Sequence, residues 1–225
     1  MLPLRDSVAH HGPAFVTKLL LWLNILVFFW QVSGGARAFE ASILRYGFVP
    51  ALFFNAPLEQ SHRLVTSMFL HGSVGHLLGN LWFLWVFGPA LEGRLGGGRY
   101  VILYLLAGVG AAFTQGLAMP DAQLPMVGAS GAISGVLGGY LVFFSRAWVL
   151  TMVWFVLPFF FWFPVATYIA YWVLFQFLYG LLGLPGVAWW AHLGGFAVGL
   201  LLAKHLCYHP PYRSQPSYQQ GFDFD

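Results

Sequence analysis

From Ala147 to Ala203 the chain carries no Asp, Glu, Lys or Arg. A charge-free run of that length cannot form the surface of a water-soluble protein. It exceeds the about 20 apolar residues that a helix needs to cross the ~30 Å hydrocarbon core of a bilayer. Further apolar runs precede it, at Phe15 to Val32, Ser73 to Leu91, Tyr100 to Met119 and Ser130 to Phe144. Of the 225 residues, 59% are hydrophobic and 8% charged, where soluble domains carry roughly 25% charge. This composition excludes a soluble globular enzyme and a disordered regulator. A net charge of +3, spread along the whole chain, excludes a nucleic-acid binder. The expected fold class is an all-α polytopic membrane protein, because lipid admits only helices and closed barrels. The apolar runs are continuous rather than alternating, which argues against a barrel. A single cysteine, Cys207, excludes a disulfide framework and any cysteine-based metal site.

The expected membrane domain covers 15–206, with helices at about 15–32, 73–91, 100–119, 130–144, 165–182 and 187–203. Residues 1–14 precede it, and a polar, Pro/Tyr/Gln-rich tail at 207–225 reads as disordered. Between the first two helices, Ser33 to His71 holds Arg37, Glu40, Arg45, Glu59 and Arg63, so most of it cannot span. With six spans and the N-terminus inside, the inner side holds Arg5, Lys18, Arg94, Arg99, Arg146, Lys204 and Arg213. The outer side holds only Arg37, Arg45 and Arg63, the bias that the positive-inside rule requires. The start of the chain has no small-residue cleavage site after an early apolar stretch, so no signal peptide is expected. A short N-terminus without a transit signature points to a bacterial plasma membrane.

Polar groups at membrane depth are costly, so each is a functional candidate. Three helix starts carry them. One reads His71-Gly-Ser-Val-Gly-His76-Leu-Leu-Gly-Asn80, with His76 and Asn80 on one face at i, i+4. The second reads Gly128-Ala-Ser130-Gly131-Ala-Ile-Ser134-Gly135, and Gly131, Gly135 and Gly139 form a stripe of small residues. The third is Trp189-Trp190-Ala191-His192-Leu-Gly-Gly195, where His192, Gly195 and Gly199 share a face. Two glycine faces let helix backbones approach closely, which would bring Ser130 to His192. All three helices run in the same direction across the membrane, so these polar residues share one depth near the outer face. Were the stretch 147–163 a further span, the last helix would flip and His192 would fall at the other face. That stretch is therefore read as an interfacial or re-entrant segment.

A serine hydroxyl is a weak nucleophile until a base takes its proton, and histidine can do so near neutral pH. The oxyanion that forms needs donors aimed at it. Asn80 offers its amide, His76 a ring nitrogen, and Ser130 its own N–H at a helix start. No carboxylate lies near enough to join, so a Ser130–His192 dyad is expected, with no cofactor. His71 and His76 invite a metal reading, but no His-Glu-x-x-His is present and no cysteine lies near, so no metal is expected. Taken alone, Ser130 is better explained as a small residue at a helix crossing, and Ser134 is read as helix packing; with His192, His76 and Asn80 in register, catalysis is the favoured reading of Ser130.

These motifs, together with Leu64-Val-Thr-Ser-Met-Phe-Leu-His71-Gly and Glu92-Gly-Arg94-Leu-Gly96-Gly-Gly98, resemble the rhomboid family of intramembrane serine proteases. The resemblance runs from about Arg45 to Ala203. It implies a rhomboid-like six-helix bundle with a membrane-associated loop between the first two helices. By the same resemblance, Ser130 is the nucleophile and His192 the base, while His76 and Asn80, with Gly128 beside them, form the oxyanion hole. His71, Glu92, Arg94, Gly131, Gly195 and Gly199 fall in supporting positions. Many relatives carry an aromatic four residues after the nucleophile, on which the histidine stacks. Here that residue is Ser134, so His192 must be positioned by other packing, with Trp189 or Trp190 as candidates. The implied partners are the lipid bilayer and single-span membrane protein substrates, with no nucleic acid. The rival is a catalytically inactive rhomboid-like protein that binds membrane clients. A transporter ranks third, since no internal repeat is visible.

Overall fold

The structure is a computed structural model that describes residues 1–9, 12–154, 157–184 and 186–206. The expectations for Cys207 and the tail at 207–225 fall outside these residues. Helix α1 (Phe15–Ser33) leads through four short helices, α2 (Gly35–Tyr46), α3 (Pro50–Asn55), α4 (Pro57–Gln60) and α5 (Arg63–Thr66), to α6 (Val74–Leu95). Then follow α7 (Gly97–Ala118), α8 (Ser130–Phe144), α9 (Val165–Leu181) and α10 (Trp189–Leu206). α1, α6 and α7 are long and apolar enough to cross a membrane, and α8 and α9 are shorter apolar helices. The molecule is a polytopic membrane bundle of helices.

Helix α8 is the centre. Every residue from Gly131 to Tyr140 is buried, because α6, α7 and α10 surround it. The closest pairing is with α10, and glycine makes it possible. A Cβ on Gly195 would overlap the Gly131 carbonyl oxygen, and one on Gly199 would overlap that of Gly135. The small-residue stripe is therefore a backbone-to-backbone seam. Its third contact falls on Gly138, which faces the Phe196 carbonyl, while Gly139 meets Leu91 and Leu103. The remaining interior is filled by Leu84, Phe87, Leu91, Tyr100, Leu103, Tyr104, Val136 and Tyr140, all essentially inaccessible.

The stretch read as an interfacial segment is a hairpin. Its strands β2 (Trp148–Trp154) and β3 (Pro158–Pro164) pair antiparallel along their full length. An N-terminal strand, β1 (Leu2–Asp6), adds to β2 and completes a three-stranded sheet in the order β1-β2-β3. Val149 and Thr151 of β2 are fully buried. Phe159, Phe160, Phe161 and Trp162 of β3 are exposed on both faces, so the hydrophobic alternation that marks a strand is missing from the sequence. Proline at each end confines β3 to the sheet edge, because proline donates nothing to a ladder. The sheet flanks the bundle: Trp82 of α6 donates from Nε1 to the Pro3 carbonyl, and Tyr140 of α8 donates to the Asp6 carboxylate.

Candidate active site

Ser130 is the first residue of α8, so its N–H is among those a helix leaves without an intrahelical acceptor. His192 lies in the first turns of α10. The glycine seam sets the two helices at a separation where the side chains meet: Ser130 Oγ lies 2.8 Å from His192 Nε2. The other imidazole nitrogen, Nδ1, lies 2.7 Å from Oε1 of Gln176, a buried residue of α9. The ring of Trp172, also on α9, lies 6.0 Å from the His192 ring at an interplanar angle of 32°. Trp189 approaches it edge-on at 6.3 Å. Trp190 packs instead against Phe177.

The loop before α8 is tied down before it reaches the serine. Phe48 and Met126 exchange backbone hydrogen bonds, and Gly128 N–H donates to the Ser67 carbonyl at 2.9 Å. Gly128 has φ +124°, a conformation that residues with a Cβ rarely adopt. A Cβ at that position would sit 2.6 Å from His76 Nε2 and 3.5 Å from Asn80 Nδ2. His76 and Asn80 thus converge on the face of Gly128, next to the start of α8. Ser73 fixes where α6 begins by accepting from the His76 N–H at 3.1 Å, an N-cap. Asn80 Nδ2 is buried and finds no acceptor among the described residues. An unpaired buried donor is costly to keep, and here it lies beside Gly128.

His71 is fully buried, its ring 5.2 Å from that of His76, and both its ring nitrogens lack a partner among the described residues. Burial first, and His76 second, push its pKa down to about 4, so it is neutral at physiological pH. It packs against His76, and among the described residues no hydrogen bond joins it to Ser130 or His192. Glu92 is far from this cluster. It accepts from Val16 N–H at 2.9 Å and from Thr17 N–H and Thr17 Oγ1, both at 2.7 Å, capping the first turn of α1. Arg94 sits over the ring of Phe143 at 5.2 Å. Ser134 is buried, and its hydroxyl donates back along the helix to the Ser130 carbonyl at 2.7 Å.

Three glutamines brace the site, and none stood out in the sequence reading. Gln176 holds His192. Gln115 of α7 accepts from the Ala191 N–H at 3.1 Å, steadying the first turn of α10 beside His192. Gln31 of α1 accepts from the His71 N–H at 2.9 Å and donates to Ser42 Oγ at 3.1 Å. Gln176 and Gln115 are the only amides of their helices, while Gln31 shares α1 with Asn24, and the cost of burying each is the signal by which it can be found. Among the described residues no group of His, Cys, Asp and Glu is arranged to hold a metal ion.

Comparison with known proteins identifies the family. A sequence model of the Rhomboid domain matches residues 58–209, well over half of the chain. The chain belongs to the rhomboid family. Its similarity to RHOMBOID-like protein 4 of Arabidopsis thaliana is 34% identity over 154 residues, covering 68% of this chain and 36% of the relative. Rhomboid protease GluP of Bacillus subtilis is 34% identical over 138 residues, covering 60% of this chain and 26% of GluP. RHOMBOID-like protein 7 of Arabidopsis thaliana is 33% identical over 161 residues, 68% of this chain and 45% of the relative. The chain therefore spans about a quarter to a half of the length of these rhomboid relatives. The rhomboid match and the apolar helices together make this an integral membrane protein in contact with the lipid bilayer.

Proposed function

We propose that this chain is an intramembrane serine endopeptidase that cleaves the transmembrane segments of single-span membrane proteins. The observation that carries the reading is the 2.8 Å approach of Ser130 Oγ to His192 Nε2 at one end of an apolar bundle. The name of the protease GluP, a relative by sequence, supports it.

In this mechanism Ser130 Oγ attacks the scissile carbonyl carbon while His192 Nε2 takes the hydroxyl proton. The carbonyl oxygen becomes an oxyanion that accepts from Asn80 Nδ2, from His76 and from the Ser130 N–H, with Gly128 leaving room for it. Collapse breaks the C–N bond, and His192 returns the proton to the leaving amine. Water then attacks the acyl-enzyme with His192 again as base, which restores Ser130. A substrate helix must unwind to present its amide, so glycine or proline near the cut favours cleavage. α8, at 15 residues, is about 22 Å long, shorter than the ~30 Å hydrocarbon core, which suits a serine lying below the bilayer surface.

By the charge bias of the loops, the termini are cytoplasmic and the site opens to the extracytoplasmic face of a bacterial inner membrane. The membrane domain is assigned to 15–206, between a cytoplasmic segment at 1–14 and a cytoplasmic tail at 207–225. The test is cleavage of a model single-span substrate in proteoliposomes by wild type, Ser130→Ala and His192→Ala. The expected result is cleavage by wild type alone, near one interface, with fluorophosphonate labelling of Ser130. A folded wild type that neither cleaves nor labels would replace this reading with that of an inactive client-binding member.

A further inference from the structure

The Ser130–His192 pair has a third member that is neither acidic nor on the dyad helices. Gln176 is 7% exposed, and its Oε1 faces His192 Nδ1 at 2.7 Å. An amide oxygen carries no proton, so the hydrogen in that bond belongs to Nδ1. A neutral imidazole has one N–H. Once that hydrogen is on Nδ1, Nε2 presents a lone pair, and the atom it faces at 2.8 Å is Ser130 Oγ. The opposite tautomer would aim an N–H at Ser130 and could not take its proton. The choice between the two rests on the group that Nδ1 meets.

The same helix fixes the ring plane. Trp172 lies four residues before Gln176, one turn away on the same face of α9, and its ring is tilted by 32° from the imidazole. Trp172 thus holds the face of the base and Gln176 holds its edge. Ser134, whose hydroxyl is committed to the Ser130 carbonyl, contributes neither. A carboxylate at position 176 would hold Nδ1 equally well, but a charge buried among apolar helices is far more costly than an amide. Glutamine orients the base without that charge.

We propose that Gln176 is the positioning residue of His192, fixing the Nδ1–H tautomer from α9, so that the base is competent only while α9 lies against α10. This rests on the serine-protease reading above. The test compares wild type with Gln176→Leu and Gln176→Glu in proteoliposomes, beside Ser130→Ala. The readouts are kcat, KM, the pH profile of kcat, the unfolding midpoint and the ¹⁵N shifts of labelled His192. Gln176→Leu is expected to lower kcat roughly ten- to hundredfold, with KM within about twofold and an unfolding midpoint near that of wild type. Its His192 spectrum moves toward the Nε2–H tautomer. Gln176→Glu restores an acceptor, so activity returns. Its acidic limb moves to higher pH, because a carboxylate favours imidazolium and the base must be neutral to act.

Wild-type kcat and pH profile in Gln176→Leu, with wild type active and Ser130→Ala inactive, would overturn the positioning role and leave the protease reading intact. A wild type that cleaves nothing would overturn the protease reading, and the ¹⁵N shifts would still decide the tautomer. An Nε2–H signal in the wild-type protein overturns the proposal whether or not the variants fold.

Discussion

At one end of α6 the carboxylate of Glu92 accepts three hydrogen bonds from the start of α1. About 18 Å along the same helix, Asn80 keeps a buried amide nitrogen with no acceptor among the described residues, and both ring nitrogens of the neighbouring His71 are likewise unmatched. The two ends are built from similar materials, polar side chains buried among apolar helices. At the Glu92 end the three donors of α1 have their acceptor, and the residue behaves as a structural part. At the Asn80 end the donors are held in place with nothing to donate to, which costs stability and makes sense where a charge develops during a reaction. Two positions on one helix thus differ in whether their polar groups have a partner, and the proposed function gives the unpartnered one a use.

Substitution at the satisfied end should have the largest effect, and on stability alone. Glu92→Ala removes the acceptor of three donors, each costing about 1–3 kcal/mol when buried and unmatched. A loss of roughly 3–5 kcal/mol is expected, read as a large drop in the unfolding midpoint in detergent micelles. The kcat of whatever remains folded should stay within about twofold of wild type. Glu92→Gln keeps one acceptor oxygen and should fall between the two. A Glu92→Ala protein as stable as wild type would show that the α1 cap carries little, and the contrast between the ends would fail.

Asn80→Ala should do the reverse. It removes a donor that has no partner among the described residues, so the unfolding free energy is expected to change by less than about 1 kcal/mol. In the proposed mechanism the same donor serves the oxyanion, so its loss should lower kcat by about 10²–10³ with little change in KM. The measurement is single-turnover cleavage beside thermal unfolding of the same preparation. Equal loss of stability and activity would make Asn80 an ordinary buried amide and would break the separation.

The sequence showed the active end better than the rest of the fold for a physical reason. Ser130, His192, His76 and Asn80 stand out because polar residues are rare in lipid. The glycines at 131, 135, 195 and 199 announced that two helix backbones touch. Spacing along one helix carries that information. The sheet was not legible because Phe159, Phe160, Phe161 and Trp162 are apolar on both faces, so the period-2 signal vanishes. The N-terminal strand was hidden too, since Leu2-Pro-Leu-Arg-Asp6 gains its partner only from residues almost 150 positions later. Gln176, Gln115 and Gln31 carried the right signal, a buried amide in an apolar helix. Their partners lie on other helices, however, and no spacing within one helix points to them.

Ser134 tests the smallest difference, and it lies within the active end itself. Its hydroxyl donates to the Ser130 carbonyl, a carbonyl already placed to accept the intrahelical bond four residues on. The hydroxyl is therefore an added bond rather than an only one. Removing it leaves no group unmatched, and Ala is a better helix former than Ser by a few tenths of a kcal/mol. The imidazole meets Gln176 and Trp172 from α9, so on the proposed reading the orientation of His192 does not depend on position 134. Ser134→Ala is expected to change stability by less than about 1 kcal/mol and kcat/KM by less than about threefold, a difference of roughly 0.7 kcal/mol. Trp172→Ala in the same assay provides the scale. If Ser134→Ala cost as much activity as Trp172→Ala, the base would be positioned from α8, and the division of labour between the glycine seam that places the dyad and the α9 side chains that orient it would not hold.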